Sequence, residues 1–157
     1  MRTPQSHTAL ANPPSQSTLE DQRMPVQAKL AAAWTSFMFL VIYIDYLALY
    51  KPGVIDDILA GTVHEFDTGP TFVALSLTLI AIPSLMIVLS VILPARVNRP
   101  INLAVATLYI PVSAFNATGE SWTYSYFYGS SIGLEVLLLA FILRSAWTWQ
   151  RTAAGRG

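Results

Sequence analysis

The chain has 157 residues, of which 54% are hydrophobic and 11% charged, and nine basic side chains balance nine acidic ones. Soluble domains carry about 25% charged residues, so this composition excludes a basic nucleic-acid binder and a charge-rich disordered regulator. The chain has no Cys, which removes disulfides, thiol redox chemistry, iron–sulfur clusters and Cys-ligated zinc.

Residues 1–27 form a Pro/Gln/Ser/Thr-rich tail. With so little apolar surface to bury, it is expected to be disordered and cytoplasmic, either a docking segment or a solvated tether. Beyond it the mean hydropathy of the whole chain, +0.49, is concentrated in four stretches: 30–50, 71–93, 101–118 and 126–143. A helix needs roughly 20 apolar residues to cross a hydrocarbon core of about 30 Å. The second stretch, TFVALSLTLIAIPSLMIVLSVIL, is apolar on every face, whereas a soluble bundle needs polar outer faces. The expected fold is therefore all-α: an integral membrane four-helix bundle, up-down-up-down, over residues 28–150. Residues 151–157 form a short cytoplasmic tail.

The charges are sided. Arg2, Arg23 and Lys29 precede the first stretch, Arg96 and Arg99 follow the second, and Arg144, Arg151 and Arg156 follow the fourth. Lys51 is the exception. Asp56, Asp57, Glu65, Asp67 and Glu120 fall in the two opposite loops. The positive-inside rule then puts both termini in the cytoplasm of a multi-pass protein of the cell inner membrane.

The first outer loop, Lys51 to Pro70, contains PGVIDDILAG. It reads as one amphipathic turn, with Pro52 in its first turn, Val54, Ile55, Ile58 and Leu59 toward lipid, and a stop at Gly61. PARVNRP, 94–100, reads as a tight cytoplasmic turn. Trp122, Tyr124 and Tyr126 form an outer aromatic belt, and Trp147 and Trp149 an inner one.

An ionisable group inside a bilayer costs about 2.5 to 3.5 kcal/mol on insertion scales and is by default a functional candidate. Two fall in the predicted spans, Asp45 and Glu135. Counted at about 1.5 Å per residue, Asp45 and Asn116 share an outer layer, while Glu135, Tyr109 and the Pro83 break share a middle one. Tyr124, Tyr128, Ser131 and Glu135 occupy one helix face that leads inward from the outer surface. Asp45, Glu135, Tyr109, Asn116, Tyr128 and Ser131 are thus the candidate ligand-binding or proton-relay residues. Each also has a purely structural alternative, as a satisfied hydrogen-bonding group in a packed bundle. Gly129 and Gly133 make a small-xxx-small pair suited to close helix contact. Phe39, Tyr43, Tyr46 and Tyr50 form a stripe on the first span that reads as packing. Pro83 and Pro111 each remove a backbone hydrogen bond, and in a membrane a neighbour must satisfy the freed carbonyl.

The only histidines are His7 and His64, outside the spans, so a bilayer bis-His haem has no ligands. His64, Glu65 and Asp67 read as a solvated loop rather than a metal site. No cofactor and no metal are expected.

Asp45 followed by Pro52-Gly53, IPSLMIVLS at 82–90, VNRPIN at 97–102 and Glu135 before SAWTW together resemble a group of bacterial proteins. These share four transmembrane helices and a domain of unknown function, and the similarity covers about residues 28–150. The resemblance implies the four-span topology and no substrate, cofactor or reaction. The chain departs from that pattern at Ala81, where the group carries an acid before the Ile-Pro.

Three functions fit these residues. The leading one is a small polytopic protein with an outward-facing intramembrane polar pocket for a small or lipid-like ligand, or a proton relay. The second is an accessory or structural subunit whose acids pair with a partner subunit or a second copy. The third is a lipid-modifying enzyme with the two carboxyls as acid and base. The lipid bilayer is the expected environment, and no nucleic-acid partner is expected.

Overall fold

The structure, a computed structural model, describes residues 24–63, 66–115 and 122–149. Residues 1–23 and 151–157 of the predicted tails, and with them Asn116, His64 and Glu65, lie outside the described residues, while Val26 and Gln27, expected in the first tail, already belong to the first helix. The described chain is all-helical apart from one minimal hairpin.

Helix α1, Val26–Ala48, starts behind Pro25, whose carbonyl accepts the Lys29 N–H at 3.1 Å. Helix α2, Val54–Leu59, is bracketed by Gly53 (φ 88°) and Gly61 (φ 89°). Both are in the left-handed region that costs glycine least. Gly53 therefore sets the helix start, and Pro52, expected in the first turn, stays outside it. A two-residue hairpin follows, with strand β1, Thr62–Val63, antiparallel to β2, Phe66–Asp67. No alternating pattern announced it. Helix α3, Pro70–Ile92, opens with proline in its first turn, where the missing N–H has no helical partner to lose. It stops at Leu93, held extended (φ −76°, ψ 144°) because Pro94 follows.

Helix α4, Ala95–Phe115, corrects one boundary. The expected cytoplasmic turn at 94–100 is helical from Ala95 onward, and the link is Leu93–Pro94. The Pro94 carbonyl accepts the N–H groups of Val97 (3.0 Å) and Asn98 (2.9 Å), so the first turn closes directly behind the proline. A 3-10 turn, Trp122–Tyr124, leads into helix α5, Ser125–Trp147.

Among the described residues three helices are long and apolar enough to cross a membrane: α1, α3, and the segment Trp122–Trp147 that contains α5. The expectation was four. Helix α4 falls short because its early start brings Arg96, Asn98, Arg99 and Asn102 into its first eight residues.

Helix α1 lies along both α3 and α5, α5 also lies along α4, and the α3–α4 pair is looser. The core sits toward the end that carries Lys29, Arg96, Arg99 and Arg144, called here the basic end. Leu30, Trp34 and Phe37 of α1 meet Met86 of α3, Ala106 and Tyr109 of α4, and Leu139, Ile142 and Ala146 of α5. Trp34, Phe37 and Tyr109 pack edge-on, with ring centroids 5.8–6.2 Å apart. Toward the opposite end α1 buries nothing beyond Met38, and α3 buries nothing before Pro83. The Phe39/Tyr43/Tyr46/Tyr50 stripe accordingly faces outward and packs against itself, with the Tyr46 and Tyr50 hydroxyls 2.6 Å apart. Among the described residues Gly129 and Gly133 serve no helix contact: both are exposed, and a Cβ on either would meet no described atom within 4 Å.

Candidate functional site: a buried carboxyl beneath an open rim

The buried face of α5 runs Tyr128, Ser131, Glu135, Leu139, Ile142, Ala146. Those intervals of three and four keep one side of a helix on the core. Its lower half is apolar and packs into the basic-end core. Its upper half is polar, because Tyr128, Ser131 and Glu135 occupy the positions that apolar side chains hold below.

Glu135 is 3% exposed, and its Oε2 has no hydrogen-bond partner. Ser113, on the buried face of α4, is 1% exposed, and its Oγ is likewise unpartnered. The Ser113 hydroxyl is a hydrogen-bonding neighbour of the Glu135 carboxyl, although the pair falls short of full hydrogen-bond geometry. Two neighbouring buried oxygens that complete no full hydrogen bond among the described residues are unusual: most buried polar atoms are satisfied, and an exception points to water, an ion, a proton or a ligand.

Asp45 also acts electrostatically on Glu135. It is not buried beside it, however. The sequence reading set both carboxyls inside the bundle, whereas Asp45 is exposed. The reason is its place in the last turn of α1, about 5 Å from that helix end, where α1 no longer buries side chains. The pair is thus one interior acid and one rim acid.

Lys51 completes the rim. Its Nζ donates to the Tyr128 hydroxyl at 2.7 Å and lies 4.8 Å from the Tyr128 ring centroid and 5.2 Å from that of Tyr124. An ammonium over two aromatic faces is a stabilising arrangement. It sets a basic side chain above the polar face of α5. Ser131 lies on that face, but its Oγ donates to its own helix, to the Phe127 carbonyl at 2.7 Å.

Tyr109 is committed elsewhere. Its hydroxyl donates to the Leu79 carbonyl at 2.6 Å. Leu79 is the residue whose carbonyl Pro83 leaves without its helical N–H, so Tyr109 repairs the proline break in α3. Asn116 lies outside the described residues. Glu135, Tyr128 and Ser131 therefore share a face, Asp45 stands at its edge, and Tyr109 serves a backbone carbonyl of α3.

Sequence reasoning passed over Ser113 and a second polar cluster at the basic end. There Trp34 Nε1 donates to Asn102 Oδ1 (2.7 Å), Asn102 Nδ2 donates to Asn98 Oδ1 (2.6 Å), and Asn98 Nδ2 donates to the Ser90 carbonyl (2.6 Å). Ser90 Oγ donates to Asn102 Oδ1 at 3.3 Å. All four side chains are fully buried. The network ties the end of α3 and the start of α4 to α1, and every one of its groups is used, so it reads as a lock rather than a site. The available signal was the four-residue spacing of Asn98 and Asn102.

Among the described residues no cluster of three or more His, Asp or Glu could hold a metal ion. Two grooves, of about 650 and 320 Å³, lie against α5 toward the basic end, and neither is lined by Asp45 or Glu135.

No curated protein and no solved structure matches the chain. A profile of the family of unknown function DUF6326 matches residues 20–155. That span holds every helix described above, the paired-Asn lock and both carboxyls, and the chain belongs to this DUF6326 family.

Proposed function

We propose that this is a four-span inner-membrane protein, up-down-up-down with both termini cytoplasmic, in which Glu135 takes up and gives back a proton reached from the outside through Asp45. The three long apolar helices and the sided charges support the membrane setting. In this reading α4 is the third of the four spans. Its polar first turns lie at the cytoplasmic surface, with Arg96 and Arg99 at headgroup level.

One observation carries the proposal: the buried Glu135 carboxyl, whose Oε2 makes no full hydrogen bond among the described residues and has the Ser113 hydroxyl as its neighbour, in electrostatic range of an exposed acid. A carboxyl with a free lone pair in a dry interior suits reversible protonation, and a second acid at the rim supplies a relay to bulk water.

The test uses protein reconstituted in vesicles loaded with a pH-sensitive dye and given an outside acid pulse. Acidification is expected to be faster than in protein-free vesicles, abolished in Glu135→Gln and slowed several-fold in Asp45→Asn. Infrared difference spectra across a pH step should contain a carboxyl band that vanishes in Glu135→Gln. Equal acidification in wild type, Glu135→Gln and empty vesicles, with no such band, overturns the proposal.

The exposure of Asp45 favours one second reading, an accessory subunit whose rim acid pairs with a cation on a partner helix. A complex isolated in mild detergent that Asp45→Asn dissociates would support it.

A further inference from the structure

We infer that the groove between α4 and α5 at the basic end is a binding site for an anionic phospholipid of the surrounding bilayer. The acyl chain lies in the groove and the phosphate on Arg144. This inference rests on the membrane setting proposed above and is independent of the carboxyl site.

The groove has a volume of about 650 Å³ and is lined by Leu103 and Thr107 of α4 and by Leu143, Arg144, Trp147 and Thr148 of α5. Its two threonines are apolar toward a ligand. Thr107 Oγ1 donates to the Leu103 carbonyl at 2.8 Å, and Thr148 Oγ1 donates to the Arg144 carbonyl at 2.8 Å. Each hydroxyl is spent on its own helix. With Leu103 and Leu143 they make a hydrocarbon-lined trough, closed at its basic end by one guanidinium and one indole. An exposed Trp at this level is the side chain that membrane interfaces select.

Among the described residues the charge at the mouth has one sign. Arg99 approaches from α4, where its Nη2 donates to the Trp147 carbonyl at 3.1 Å. That spends one of five guanidinium donors and leaves the others for an anion. Arg144 is exposed at the groove. No Asp or Glu occurs at 24–38, 86–107 or 139–149, the stretches that build this end. Two forked cations over an apolar trough match a phosphate attached to a fatty chain, the chemistry of basic pockets on the cytoplasmic side of membrane proteins.

The experiment follows thermal unfolding of the detergent-purified chain with added phosphatidylglycerol or phosphatidylcholine, and counts bound lipids by native mass spectrometry. Phosphatidylglycerol is expected to raise the melting temperature several degrees more than phosphatidylcholine and to be retained at least fivefold better. Arg144→Gln should remove that preference and Arg144→Lys should keep part of it. Thr107→Trp, which fills the trough and leaves the charges in place, should also remove it. Soluble glycerol phosphate, a headgroup without chains, should give no shift. Equal responses to the two lipids, a preference that survives both Arg144→Gln and Thr107→Trp, or a full response to glycerol phosphate overturns the inference. A chain that stays soluble and monodisperse without detergent refutes the membrane setting instead, so the two failures are distinguishable.

Discussion

Tyr109→Phe isolates the repair of a proline break inside an apolar helix. The substitution keeps the ring, and with it the edge contacts to Trp34 and Phe37, and deletes one hydroxyl whose 2.6 Å bond satisfies the Leu79 carbonyl. A buried group left unpaired costs about 1–3 kcal/mol. Interhelical hydrogen bonds in membranes measure about 0.6 kcal/mol on average and up to about 1.7. Leu79 has no N–H from residue 83 to fall back on, so the upper part of that range applies, and the expected loss is about 1–2 kcal/mol. The assay is reversible unfolding in mixed micelles with rising dodecyl sulfate, followed by Trp fluorescence. Pro83→Ala supplies the control, because alanine restores an N–H to the Leu79 carbonyl. In that background Tyr109→Phe should cost less by about 1 kcal/mol, a coupling that a double-mutant cycle reads directly. A cost that is the same in both backgrounds, or below about 0.3 kcal/mol in the first, would refute the reasoning.

Asn102→Ala should destabilise by about 2–4 kcal/mol, since it strands the Trp34 indole N–H and Asn98 Oδ1 in the core. The same unfolding assay, with a shift in Trp34 emission, checks it, and a loss under about 0.5 kcal/mol contradicts the lock. Gly133→Ala should stabilise by about 0.5–1 kcal/mol if that face of α5 meets lipid, because a Cβ there meets no atom within 4 Å. A loss of stability, with a fall in the mass of the detergent-solubilised particle, would show that another helix covers the face. Glu135→Gln should abolish vesicle acidification, and Arg144→Gln should erase the preference for phosphatidylglycerol, by the assays already described.

What depends on composition and on helix periodicity was legible along the chain. Apolar runs of about 20 residues, the one-sided distribution of Arg and Lys, and the three-four spacing that carries Glu135, Ser131 and Tyr128 on one face of α5 are all properties of a single segment. What passes between helices was decided by the tertiary structure. The spacing of α1 cannot tell that it packs only through its basic half, and that packing is what leaves Asp45 on the rim. Nothing in α4 alone says that Tyr109 meets a carbonyl of α3 or that Ser113 stands beside Glu135. Pro94 and Pro100 mark a turn on local preference, but the Pro94 carbonyl and the buried Asn98 and Asn102 draw the same residues into helix. Hydrophobicity and period act along one chain segment, whereas hydrogen-bond partners and exposure depend on which helices lie alongside, and only the assembled bundle supplies those neighbours.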